Sequence, residues 1–187
     1  MSEPTYLPLL NSIAVNERKG EILLNAWADH TKDEQLASVL RFVAIREGEH
    51  AAAFTKRMCE LGHAVCEEKA YQVFKDFDGL LACARSDATD ADKVAMLRGG
   101  QRGSERGESR DPFGSFFKDT TIDPITGALL GRFIAEERDS GRRLKAEYDR
   151  VCGSGASAAQ SEIAELRACV EALREEVARL RHVRSVA

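Results

Sequence analysis

Residues 10–61 read LNSIAVNERKGEILLNAWADHTKDEQLASVLRFVAIREGEHAAAFTKRMCEL, two apolar stripes of helical period separated by a short polar break. On the first stripe Leu10, Ile13, Gly20, Leu24 and Trp27 recur at spacings of three and four or their sum, and Glu17 falls among them. Thr31-Lys32-Asp33 forms the break, where Asp33 or Thr31 can cap the helix that follows. The second stripe runs Leu36, Leu40, Val43, Glu47, His50, Phe54, Met58 and Leu61, and Gly62 supplies a C-terminal stop. This pattern predicts an antiparallel helical hairpin.

Glutamates within such stripes are informative, because an ionised carboxylate in an apolar interior needs a partner or a metal ion. Glu17 and Glu47 each lie 15 residues from Lys32 at the centre of the turn. Two helices rising by about 1.5 Å per residue therefore bring them to the same height. Glu21 is the competing position on the first helix, but it lies 11 residues from Lys32, one turn too close to the break. Glu47 and His50 stand at i and i+3, so a carboxylate and an imidazole share one helix face and can reach one cation. A lone Glu-x-x-His is also common on solvated helix faces; the apolar stripe and the matched glutamate separate this one from that reading. Arg46 and Glu49, off the stripe, read as solvated surface.

Further along, Val73, Phe77 and Leu80 carry the helical spacing over Ala70 to Ala84, and Val94 and Leu97 mark a shorter helical patch. GGQRGSERGESR at 99–110 has four glycines and no apolar side chain, too little to offset the entropy of ordering, and is predicted to be a mobile loop over 99–111. Beyond Phe113, Phe116 and Phe117, a long helix is expected from about Pro124 to Val151. Its stripe is Leu130, Phe133 or Ile134, Glu137, Gly141, Leu144 and Tyr148, again with a glutamate inside. These elements make residues 1–152 one helical domain, followed by a GSGASA-containing linker at 153–160.

From 161 to 184 the pattern tightens to heptads: Ile163, Val170 and Val177 at a, Leu166, Leu173 and Leu180 at d. β-Branched a and leucine d positions favour a parallel two-stranded coiled coil. Glu162 and Glu176 at g would meet Arg167 and Arg181 at e of a partner, so a homo-oligomer joined through 161–183 is expected. The alternative is a further helix folded back on its own bundle, since fewer than three full heptads are marginal alone.

Composition fits an all-α protein: 31% charged, 43% hydrophobic and 6% aromatic residues, with glycine and proline confined to a few places. A net charge of −4 and the lack of a basic run give no electrostatic footprint for nucleic acid. No segment reaches the roughly 18 to 20 apolar residues needed to span a bilayer, and no signal pattern precedes Leu10, which points to a cytoplasmic protein with no membrane contact. The five cysteines form no CxxC pair, which argues against a zinc knuckle or a disulfide framework. His30, His63 and His182 fall at a helix end, a loop and the tail and read as ordinary surface residues.

Glu17, the Glu47-Gly48-Glu49-His50 stretch and the Ile134-Ala135-Glu136-Glu137 stretch together resemble the ferritin-like superfamily, and within it rubrerythrin-type domains without the rubredoxin domain. The resemblance spans residues 10–151 and implies a four-helix bundle holding one or two iron or manganese ions. Fe(II) oxidation, peroxide reduction or oxygen activation would follow, with electrons from a donor protein or from Fe(II) itself. It implies Glu17, Glu47, His50 and a bridging Glu137 as metal ligands, with Glu21, Glu136 and Asp139 less favoured. Two departures stand out. Position 140, where the pattern calls for a second histidine, is Ser140, with Glu136 and Asp139 as an all-carboxylate substitute. The third helix has no carboxylate on its stripe; Asp76 and Asp78 flank it, while Glu105 and Glu108 lie in the expected loop. These departures also admit a bundle that has lost one metal position and serves as an assembly or interaction module.

Overall fold

A computed structural model describes residues 4–101, 113 and 116–153. Five α-helices and no strand occur among them: α1 (Leu7–Ala28), α2 (Glu34–Glu60), α3 (Phe77–Ala84), α4 (Asp90–Gln101) and α5 (124–153). No helix among these residues is long and apolar enough to cross a membrane. The chain divides into two compact units, Met1–Tyr148 and Asp149–Ala187; in the second, the described residues 149–153 are helical. The expected linker beyond 153, the coiled-coil segment and most of the expected loop lie outside the described residues.

The hairpin forms as its sequence predicts, and its ends show why. Pro8 in the first turn of α1 occupies a position where no intrahelical donor is needed. Asp33 caps α2, its carboxylate accepting from the Leu36 amide at 2.9 Å, while the Asp33 amide donates to the Thr31 hydroxyl at 3.1 Å. At the other end Gly62 takes φ +82°, and the Gly62 and His63 amides donate to the Cys59 and Met58 carbonyls. That is a Schellman stop, with glycine at the left-handed position.

Trp27, Leu10, Leu36, Leu40, Val43, Phe54 and Leu130 are almost wholly buried. Each such side chain stabilises the fold by roughly 1.5–3 kcal/mol. Tyr6, Leu10, Ile13, Phe54, Met58, Leu130, Phe133 and Ile134 form one cluster, so α1, α2 and α5 share a core. Asp123 and Pro124 start α5: the Asp123 carboxylate accepts from the Thr126 amide at 3.0 Å, and also from the Tyr6 hydroxyl and the Arg57 guanidinium at 2.7 and 2.9 Å. One cap therefore ties the starts of α1 and α5 to the end of α2.

The helix expected over Ala70–Ala84 forms only from Phe77. Residues 66–73 instead run beside α1, where polar side chains claim their backbone groups. Asn11 bonds both the amide and the carbonyl of Cys66, at 2.8 and 2.9 Å, and Asn16 bonds the Tyr71 carbonyl and the Val73 amide, at 2.7 and 3.0 Å. Those bonds compete with a helical ladder and win. Helix resumes where Asp76 can cap the Gly79 amide at 3.0 Å. Gly99 and Gly100, expected to open the loop, still belong to α4.

Candidate metal centre

Glu17 from α1, His50 from α2 and Glu137 from α5 converge in the core, each offering a ligand atom within 4.8 Å of the others. His50 Nδ1 lies 2.9 Å from Glu17 Oε2 and 3.5 Å from Glu137 Oε1. On its other side His50 Nε2 lies 2.8 Å from Glu136 Oε2. The imidazole, only 3% exposed, meets the edge of Phe133 at 5.0 Å between ring centroids. In a neutral ring, a proton on Nε2 donated to Glu136 would leave the Nδ1 lone pair for a cation on the side that faces Glu17 and Glu137.

Glu47 approaches the same cluster from the Gly20 side. A Cβ built on Gly20 would collide with Glu47 Oε2, so the glycine of α1 makes the space this carboxylate enters. Glu21 does the reverse: its carboxyl lies over Gly48, 2.8 Å from where a Cβ there would be, and it pairs with Arg18 at 2.5 Å. Of the expected ligands, Glu17, His50 and Glu137 thus stand as a triad; Glu47 lies beside it, hydrogen-bonded to Glu17, and Glu21 is turned to Arg18 and Gly48.

Electrostatics at the cluster reflect too many acids in too little water. Burial lifts the Glu17 carboxyl to about 7, with Glu137 adding to the rise and His50 opposing it. Burial also holds Glu47 well above the usual carboxylate range, reinforced by the charges of Glu17 and Glu137. For His50, burial disfavours the imidazolium, but Glu137, Glu17 and Glu136 outweigh it and raise the ring to about 10. Glu137 Oε1 remains buried with no hydrogen-bond partner, its 3.5 Å approach to His50 being too long for one. A buried carboxylate oxygen that accepts no hydrogen bond, beside two more carboxylates and an imidazole, fits a divalent cation, whose charge would favour deprotonated ligands.

Glu136 and Asp139 take other roles. Glu136 is occupied by His50 and by Arg132 Nε at 3.0 Å; burial tends to raise its carboxyl, but these partners hold it below the ordinary range. Asp139 binds Arg143 at 2.7 Å and Arg46 at 2.8 Å, which pull its carboxyl down to about 2. Arg46, read from sequence as solvated, is in fact directed at α5. Its Nη1 donates to Asp139 Oδ2, to Ser140 Oγ at 3.2 Å and to the Glu136 carbonyl at 3.2 Å, and its guanidinium lies over the Phe42 ring at 4.6 Å. The overlooked signal is spacing: Arg46 and His50 are i and i+4, hence on one face of α2. Ser140 itself is 2% exposed.

No model of a known protein family matches the chain, and no solved structure matches it. Over 108 residues, 58% of its length, the chain is 32% identical to a 2-isopropylmalate synthase from Listeria innocua serovar 6a. The chain spans only 19% of that protein's length, too little to show membership of its family.

Proposed function

We propose that the chain is a ferritin-like helical protein that holds one iron or manganese ion at Glu17, Glu47, His50 and Glu137 and uses it for redox chemistry such as Fe(II) oxidation or peroxide reduction. The observation that carries this reading is the Glu17, His50 and Glu137 triad, in which a buried Glu137 oxygen accepts no hydrogen bond. Carboxylate oxygens with a single imidazole make a hard donor set suited to Fe(II) or Mn(II). When bound, the ion supplies the change of oxidation state. The chain's own residues bind and orient: Glu17 and Glu137 offset cation charge, and Glu136 fixes the imidazole through Nε2 as an outer-shell carboxylate. Phe54 and Phe133, packed edge to face at 5.3 Å, keep water from that flank. Electrons would come from a donor protein or from Fe(II) itself.

The test is metal analysis of the purified protein, then anaerobic Fe(II) loading and oxygen addition followed by near-ultraviolet absorbance. About one iron or manganese per chain and oxidation faster than in buffer are expected; no bound metal and no oxidation beyond buffer would remove the reading. Glu47→Ala and His50→Ala should each lose the metal, whereas full retention would mean that the site lies elsewhere.

A second reading, a bundle with a degenerate site serving assembly, is favoured by one observation, the guanidinium at Ser140 and Asp139. It predicts no metal and an unaltered fold in the same two variants. For either reading, the heptads of 161–183 support a parallel homodimer. Cys59, Cys66, Cys83 and Cys152 are unpaired, in keeping with a cytoplasmic protein.

A further inference from the structure

We infer that Arg46 makes this a one-ion centre by standing as a built-in cation on the acceptors that a second metal ion would need. The inference rests on the metal centre proposed above. Three acceptors of α5 beside that centre face α2: Asp139 Oδ2, Ser140 Oγ and the Glu136 carbonyl. Arg46 Nη1 holds all three, at 2.8, 3.2 and 3.2 Å.

The guanidinium is well placed to stay. Arg46 is 20% exposed in its side chain and stacks on Phe42 at 4.6 Å. One helical turn separates it from His50, so a second dication beside the first would meet a fixed positive charge as well as a filled acceptor set. Arg143 also contacts Asp139 and Phe42, but it is half-exposed on the solvent side and touches neither Ser140 nor the Glu136 carbonyl. Arg46, rather than Arg143, is therefore the cation that fills these acceptors. Position 140 is the complementary one, lying three residues from Glu137 and four from Glu136 on the same face of α5.

The experiment titrates metal-free, full-length protein with Mn(II) and counts bound ions by mass spectrometry of the metal and by electron paramagnetic resonance. Wild type should bind one Mn(II) per chain with the signal of an isolated ion. Arg46→Ala combined with Ser140→His should bind two, with the broadened spectrum of exchange-coupled ions. Ser140→His alone, and Ser140→His with Arg46→Lys, both of which keep the charge, should stay at one. Circular dichroism checks each fold; if the double variant does not fold, Arg46→Gln with Ser140→His carries the same readout. Two ions in wild type, or one in every folded charge-removing variant, would overturn the role of Arg46 and leave the metal centre standing. No ion in wild type would overturn the centre and this inference with it.

Discussion

Side chain by side chain, the cluster between α1, α2 and α5 crowds buried carboxylates around one imidazole, and its protonation makes the protein sensitive to pH. Glu17 moves from its ordinary 4.5 to about 7, so between those values the folded chain keeps a proton that the unfolded chain has released. Stability falls with rising pH in that window. His50 moves from 6.5 to about 10; the stabilisation it brings is complete below 6.5 and lost as pH rises through about 10. Asp139, lowered from 3.8 to about 2, works the other way, its contribution being present above 3.8 and lost as pH falls through about 2. The melting temperature of metal-free protein is therefore expected to peak near pH 5 and decline steadily to pH 9. Saturating Mn(II) should remove or reverse that decline, because the bound form needs deprotonated ligands. Calorimetry over this range checks both curves; a metal-free melting temperature that rises from pH 5 to 9 would contradict the assignment.

At the level of elements, two junctions separate stability from site geometry. A helical glycine ordinarily costs about 1 kcal/mol relative to alanine. Gly20→Ala should then leave stability unchanged or slightly raised, because the added Cβ meets only the far end of the Glu47 side chain. Metal affinity should nonetheless drop, since Glu47 must leave the cluster; denaturant melts paired with Mn(II) titration would show this split. At the α5 start, Asp123→Ala removes a helix cap and strands the Tyr6 hydroxyl and part of the Arg57 guanidinium. A loss of roughly 1–2 kcal/mol in urea unfolding is expected.

For the whole molecule, the remaining prediction concerns assembly. Removing residues 159–187 deletes the heptads without touching Met1–Tyr148. If the heptads pair two chains, light scattering should give a dimer mass for the full chain and a monomer mass for the truncated one, with helicity retained; the same oligomeric state in both would mean that the tail does not join two chains.

The hairpin, its caps and the matched height of Glu17 and Glu47 were legible in the residues, because helix period, capping chemistry and rise per residue are local rules. Pairing of Glu137 with the first two helices was also foreseeable, since a glutamate on an apolar stripe has to face the core. Three things were not. Residues 70–76 carry helical spacing, yet Ser12 and Asn16, more than 50 positions earlier, bond the backbone of Tyr71 and Val73 and draw it out of a helix. Glu136 is an orienting partner of His50 only because α5 approaches at a particular rotation. Arg46 became a cation lodged at Ser140 because its long side chain found acceptors on another helix. Local periodicity determined which residues face inward, and tertiary packing decided which of those faces meet, since contacts between distant segments depend on the rotation and depth at which helices dock.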